Sequence, residues 1–197
     1  FGLSYINGLI LGSVVILIYT VLGGFLAVSW TDLFQGLLMI IALVGVPLGV
    51  ISSIGGPQVS IMSAKAINPH VLNIFKNPDG TSLGFWATAS LLAWGLGYPG
   101  MPHIITRFMA IRDADETKKA RHIAIFWVFL GLFCAVLIGV VGMTYLKDSP
   151  LQGTDVEKVF MILIQSIFHP AIAGIFLAAV LAAVMSTVDS QLLVASS

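Results

Sequence analysis

The stretch from Trp94 to Pro102, Trp-Gly-Leu-Gly-Tyr-Pro-Gly-Met-Pro, holds three glycines and two prolines within nine residues. Each proline removes a backbone donor and clashes with the preceding helical turn. In apolar surroundings such a break is tolerated only where it is buried in protein or faces a cavity. Trp94 and Tyr98 lie one turn apart, so their aromatic faces, a phenol and unpaired backbone groups can surround a small solute. The alternative is a packing helix that is merely kinked by proline.

A second group of polar residues interrupts an apolar stretch near the C-terminal end of the chain. Ala183, Ser186 and Thr187 stand at i, i+3 and i+4, on one face of a helix with small residues every four positions. Two hydroxyls beside a freed carbonyl are oxygen ligands of the kind that small hard cations prefer. The alternative is hydroxyl bonding to a carbonyl one turn earlier. Asp189 follows, and a carboxylate in a spanning helix is a functional candidate unless it lies near the membrane surface.

Asp32 closes the segment Ser29-Trp30-Thr31-Asp32. Two interpretations remain open from its position alone: a cap for the helix that follows, or a carboxylate on an ion path. The four histidines show no metal-ligand spacing, and the sequence carries no nucleophile elbow, phosphate loop or zinc motif. The single Cys134 excludes a disulfide framework and a cysteine metal cluster. None of these residues indicates a catalytic site.

The composition places all of these residues in a membrane. Hydrophobic residues make up 58% of the 197 residues and charged residues only 9%, and the mean hydropathy is +1.02. A soluble domain carries about 25% charged residues. The net charge is zero, so the composition does not indicate a nucleic-acid-binding protein.

Five stretches reach the length of about 20 apolar residues that a spanning helix needs. The sequence therefore predicts an all-α, polytopic membrane protein with a single transmembrane domain over residues 1–197. Residues 29–32 are expected to form a tight turn between the first two spans, and residues 159–168 a short interfacial helix. Pro170 suits the first turn of the last span. The predicted spans are residues 7–28, 33–54, 83–104 (broken as described), 123–146 and 171–194.

Five of the nine basic residues lie in the 18 positions of 105–122. The positive-inside rule then makes this loop and residues 29–32 cytoplasmic, with the N-terminus outside and the C-terminus inside. The chain starts at Phe1 and stops at Ser197 inside a helical pattern. We therefore expect it to be an internal piece of a longer protein.

Three motifs resemble the sodium/solute symporter family, and within it the bacterial sodium/proline carriers. They lie in the same order as in that family and cover nearly the whole chain. The motifs are Tyr19-Thr-Val-Leu-Gly-Gly-Phe-Leu-Ala-Val-Ser-Trp-Thr-Asp32, the Trp94–His103 stretch with Thr106-Arg-Phe-Met-Ala110, and Leu181-Ala-Ala-Val-Met-Ser-Thr187 with Ser190-Gln-Leu-Leu193.

The resemblance implies a LeuT-type fold of two inverted repeats, in which the first two spans end one repeat and the last three begin the other. It implies that Trp94, Tyr98 and Pro102 line the substrate site. It implies that Ala183, Ser186 and Thr187 bind sodium and that Asp32 takes part in sodium dependence. Asp189 is a further candidate, because it stands where proline carriers have Ser and some relatives have Asp.

The function that follows from the resemblance is symport of a small organic solute, L-proline in the first place, with Na⁺ by alternating access. The expected location is the bacterial inner membrane. Pro99-Gly100-Met101 replaces the Phe-Gly-Gln of the proline carriers, which keeps open a carrier for another solute such as pantothenate. The transporter-like sensor module of a membrane histidine kinase is a second competing hypothesis, and a structural membrane scaffold is a third.

Overall fold

A computed structural model describes residues 4–196 of the chain, and this part is helical without any β-strand. Three of its helices are long and apolar enough to cross a membrane. The helices are α1 (Tyr5–Ile54), α2 (Pro57–Ile67), α3 (Phe85–Gly97), α4 (Pro102–Met109), α5 (Ala114–Tyr145), α6 (Val159–Ile167) and α7 (Pro170–Ser196), with 3₁₀ turns at Tyr98–Gly100 and Gly153–Lys158.

The first two predicted spans lie within α1, and the break between them falls at a different place from the one predicted. Gly24 has φ 55° and ψ −151° and is the non-helical residue inside α1. Only glycine adopts this backbone region readily. Ser29 and Thr31 are helical instead, and their hydroxyls are satisfied within the helix: Ser29 Oγ donates to Phe25 O at 2.8 Å and Thr31 Oγ1 to Ala27 O at 3.0 Å. The predicted turn at residues 29–32 was therefore wrong.

Because α1 is helical on both sides of Asp32, this residue is not the helix cap that the sequence left open. An N-cap residue flanks the first helical turn and has non-helical backbone angles. Asp32 lies eight residues after Gly24, in the continuous helical part of α1. The interpretation of Asp32 as a helix cap was wrong, and another reason is needed for a carboxylate inside an apolar helix.

The third predicted span is broken where the sequence indicated. Helix α3 ends at Gly97, a 3₁₀ turn covers Tyr98–Gly100, and α4 begins at Pro102. Met101 is extended, with φ −66° and ψ 131°. Pro99 has no N–H to donate to the carbonyl of Gly95, so the regular helical hydrogen bond at this place cannot form.

The remaining helices differ from the predicted spans mainly at their N-termini. Helix α5 begins at Ala114, nine residues before the predicted 123, with Asp113 as its N-cap accepting a hydrogen bond from the Asp115 amide at 3.3 Å. Helix α6 confirms the short helix predicted over residues 159–168. Helix α7 begins at Pro170, as the first-turn proline indicated. Helix α2 was missed because its sequence lies among strong turn signals.

The described residues form two compact units. One contains α1 up to Ala42 together with α7 from Gly174, and the other runs from Leu43 to Ala173. Large apolar side chains lie on the surface of both, including Leu22 at 82% exposure and Phe129 at 70%. Such exposed apolar faces are typical of helices that contact lipid or further membrane helices.

Candidate functional site

A carboxylate is buried inside an apolar helix of the first unit. Asp189 is the one charged residue of α7, and its side chain is 0% exposed. The phenol of Tyr19 donates a hydrogen bond to Asp189 Oδ2 at 2.7 Å, across 170 positions of sequence. A buried charge is costly unless it is hydrogen-bonded or paired. This bond therefore joins α1 and α7 at a polar point within their apolar surfaces.

The second carboxylate of this unit approaches the same phenol. Asp32, the one charged residue of α1, is close enough to Tyr19 to act on it electrostatically, as is the side chain of Gln35. Thr20, the neighbour of Tyr19, is 8% exposed. Two buried oxygen atoms, Thr20 Oγ1 and Gln35 Oε1, have no hydrogen-bond partner among the described residues. Asp189, the one charged residue of α7, is thus hydrogen-bonded to Tyr19, and Asp32, the one charged residue of α1, lies within electrostatic range of the same phenol.

The hydroxyls of α7 are arranged around backbone carbonyls. Ser186 Oγ and Thr187 Oγ1 donate to the Ala183 carbonyl at 3.2 and 2.9 Å, which is the back-bonding that the sequence left as an alternative. A hydroxyl that donates its proton keeps its lone pairs. This geometry therefore does not prevent the two hydroxyls from also serving as cation ligands.

Ser190 extends the same polar edge of α7. Its hydroxyl donates to the Ser186 carbonyl at 2.6 Å and lies 3.5 Å from Asp189 Oδ1. Ser186, Asp189 and Ser190 stand at i, i+3 and i+4, so they share one face. No group of three or more His, Cys, Asp or Glu side chains that could hold a metal occurs in the part of the chain that the structure describes. A cation near Asp189 would therefore depend on hydroxyl, amide and carbonyl oxygens as well as carboxylates, a set that suits a hard cation.

The aromatic residues of the broken span belong to the second unit. The rings of Trp94 and Tyr98 contact each other, with centroids 5.5 Å apart and planes at 40°. Trp94 is 66% and Tyr98 42% exposed, and Pro102, at the start of α4, is also exposed. The structure thus brings Trp94 and Tyr98 together as one aromatic surface. Pro102 follows directly on the far side of the helix break.

Sequence reasoning missed Tyr19 and Gln35. Tyr19 was part of a motif but received no role, because its partner is 170 positions away. A signal for it was present: Tyr19 and Thr20 are adjacent polar residues in an otherwise apolar run. Gln35 stands three positions after Asp32, on the same helical face.

Comparison with known proteins agrees with the motifs. The model of the sodium:solute symporter family matches residues 1–197. The chain is 45% identical over its full length to the osmoregulated proline transporter OpuE of Bacillus subtilis, and 45% to a sodium/proline symporter of Staphylococcus aureus. It is also 45% identical to the high-affinity proline transporter PutP of Bacillus subtilis. No solved structure matches the chain.

The chain covers 39%, 37% and 40% of the length of these three relatives. The family match nevertheless extends from the first residue of the chain to the last. A family of membrane transporters rather than enzymes accounts for three long apolar helices, two of which carry a single charged residue. The chain is a multi-pass membrane protein that belongs to the sodium:solute symporter family.

Proposed function

We propose that the complete protein couples the inward movement of sodium to the uptake of L-proline. The observation that carries this proposal is the buried Asp189, the one charged residue of α7, which Tyr19 of α1 holds by a hydrogen bond at 2.7 Å. Ionisable residues in spanning helices are costly and commonly mark ion pathways. The choice of proline rests on relatives that are named as proline transporters and are 45% identical to this chain.

The proposed sodium ligands lie on α7. Ala183 would contribute its carbonyl, and Ser186 and Thr187 their hydroxyls, which already surround that carbonyl at 2.9–3.2 Å. Asp189 and Asp32 would supply the negative charge that offsets the cation, either as ligands or on its path. Oxygen atoms on short side chains match the preference of small hard cations.

The proposed substrate contacts lie at the helix break. Proline is a compact ring with a carboxylate and an ammonium group. The Trp94 and Tyr98 faces can pack on the ring and attract the ammonium, and the Tyr98 hydroxyl can donate to the carboxylate. Pro102 would line the same site, at the break where backbone groups of a discontinuous helix would complete the polar contacts. On this proposal Trp94→Ala weakens proline binding more than Tyr98→Phe, because it removes a whole aromatic face.

The proposed mechanism is alternating access with thermodynamic coupling. Sodium would favour a conformation that accepts proline, and proline must then tighten sodium binding by the same factor. No covalent step is needed. We further propose a LeuT-type repeat arrangement, with the N-terminal end of α1 outside and the C-terminal end of α7 in the cytoplasm of a bacterium. The basic residues of 105–122 support this orientation.

Uptake of labelled proline into proteoliposomes that contain the full-length protein tests this proposal. An inward sodium gradient should drive accumulation, and replacing sodium by choline on both sides should abolish it. Unlabelled proline should compete, and unlabelled pantothenate should not. If unlabelled pantothenate blocks the sodium-driven uptake and unlabelled proline does not, the transported solute is pantothenate rather than proline. Absence of any sodium-driven uptake, with proline binding retained, would favour a sensor role.

A further inference from the structure

The hydrogen bond between Tyr19 and Asp189 orients the buried carboxylate. The Tyr19 hydroxyl occupies one lone pair of Oδ2, at 2.7 Å. The other oxygen, Oδ1, lies on the side of Ser190, whose hydroxyl is 3.5 Å away and donates more closely to the Ser186 carbonyl, at 2.6 Å. The carboxylate is therefore held with one oxygen toward α1 and the other toward the hydroxyl-bearing face of α7.

Such orientation does not arise from the aspartate alone. The terminal torsion of an aspartate is broad and roughly two-fold, so the side chain's own preference does not fix where its two oxygens point. A phenol on a rigid ring fixes one oxygen at a set distance. An ionised carboxylate has about four lone-pair sites, so accepting this one hydrogen bond does not exclude a cation.

We infer that Tyr19 is a positioning residue for sodium coupling, whose hydroxyl holds the Asp189 carboxylate so that Oδ1 faces the Ser186 and Ser190 side of α7. This inference rests on the proposed sodium-coupled function. Tyr19 does not itself bind the ion; it acts through Asp189. The competing view is that Tyr19 is only a structural bridge between α1 and α7.

The test compares Tyr19→Phe with Tyr5→Phe in the full-length protein. Both changes remove one hydroxyl from α1, but Tyr5 is 83% exposed. The first measurement is the sodium concentration that gives half-maximal proline uptake in proteoliposomes. We expect Tyr19→Phe to raise it about tenfold, the equivalent of one charge-assisted hydrogen bond, while proline affinity at saturating sodium stays unchanged. Tyr5→Phe should match the wild type.

The second measurement separates positioning from a structural bridge. Sodium stabilises the purified protein against thermal unfolding if it binds the folded state. If Tyr19 is only a structural bridge, Tyr19→Phe should unfold at a lower temperature. The rise in unfolding temperature that a given sodium concentration produces should then be the same as in the wild type. Positioning predicts that the same rise requires about tenfold more sodium. An unchanged sodium requirement in Tyr19→Phe, or tighter sodium binding, overturns the inference.

Infrared difference spectroscopy of the wild-type protein provides a measurement that does not depend on whether a variant folds. Added sodium should shift a carboxylate band together with a tyrosine C–O band, because the two groups share a hydrogen bond. A carboxylate shift without a tyrosine component overturns the inference but leaves the proposed function intact. A wild-type protein that shows no sodium dependence in any of these assays rejects the proposed function, and the inference with it.

Discussion

Replacing Asp189 by asparagine removes the buried charge while keeping the shape of the side chain. The amide oxygen of asparagine can still accept the hydrogen bond that Tyr19 donates at 2.7 Å. The contact between α1 and α7 should therefore survive, and the full-length protein should reach the membrane in normal amounts. What disappears is the negative charge, at a side chain that is 0% exposed.

The expected loss follows from the strength of interactions with an ionised group. A contact of this kind contributes about 1.5–3 kcal/mol, and about 1.4 kcal/mol corresponds to one decade in affinity. The sodium concentration for half-maximal uptake should rise by about one to two decades in Asp189→Asn. Proline affinity measured at saturating sodium should change little, because the proposed substrate contacts lie on the broken span.

The assay is initial-rate uptake of labelled proline in proteoliposomes over a sodium series. Asp155→Asn is the matched control, since Asp155 forms an exposed ion pair with Lys158 at 2.7 Å. Exposed pairs of this kind contribute about 1 kcal/mol at most, so the control should keep wild-type sodium dependence. A wild-type sodium requirement in Asp189→Asn would refute the reasoning that places this carboxylate on the sodium path.

Four further changes test the remaining site residues and the break in α1. Thr187→Ala should raise the sodium concentration for half-maximal uptake by about a decade, since a contact with a charged group contributes about 1.5–3 kcal/mol; unchanged sodium kinetics would remove Thr187 from the ligand set. Asp32→Asn should depress sodium-driven uptake at normal membrane abundance, and normal kinetics would exclude it from the ion path. Tyr98→Phe should weaken equilibrium binding of labelled proline while sodium still binds, and unaltered proline affinity would place the substrate elsewhere. Gly24→Ala should lower stability by about 1–3 kcal/mol in thermal unfolding, because φ is 55° there; the control Gly8→Ala has open space around the new methyl group and should not.

The sequence predicted those parts of the fold that depend on composition and on local breakers. Long apolar runs indicated α5 and α7, and the two prolines at 99 and 102 located the break between α3 and α4. Pro170 marked the start of α7. Each of these features follows from hydrophobicity or from the missing N–H of proline, and both are visible in the residue types alone.

The turn between the first two spans was misplaced for a local physical reason. Ser29, Thr31 and Asp32 have the polarity of a turn, yet the two hydroxyls donate to carbonyls of their own helix. Hydroxyl groups that form hydrogen bonds within their own helix do not need contact with water. The actual break needs a positive φ, and the adjacent glycines at 23 and 24 were the better signal.

The sequence singled out several residues of the candidate site, but it did not show how they assemble. Asp32 and Asp189 stood out as charges in apolar surroundings, and Ser186 and Thr187 as hydroxyls on one face. The hydrogen bond between Tyr19 and Asp189 depends on tertiary packing between α1 and α7. Helical periodicity shows which residues share a face, but it does not show which faces of two helices meet.

Equilibrium binding to the purified full-length protein tests the coupling of sodium and proline most directly. Labelled proline is titrated at several sodium concentrations, and sodium is titrated with and without proline through its effect on thermal unfolding. Coupled symport predicts that sodium tightens proline binding and that proline tightens sodium binding by the same factor. Proline affinity that does not change with sodium would contradict it.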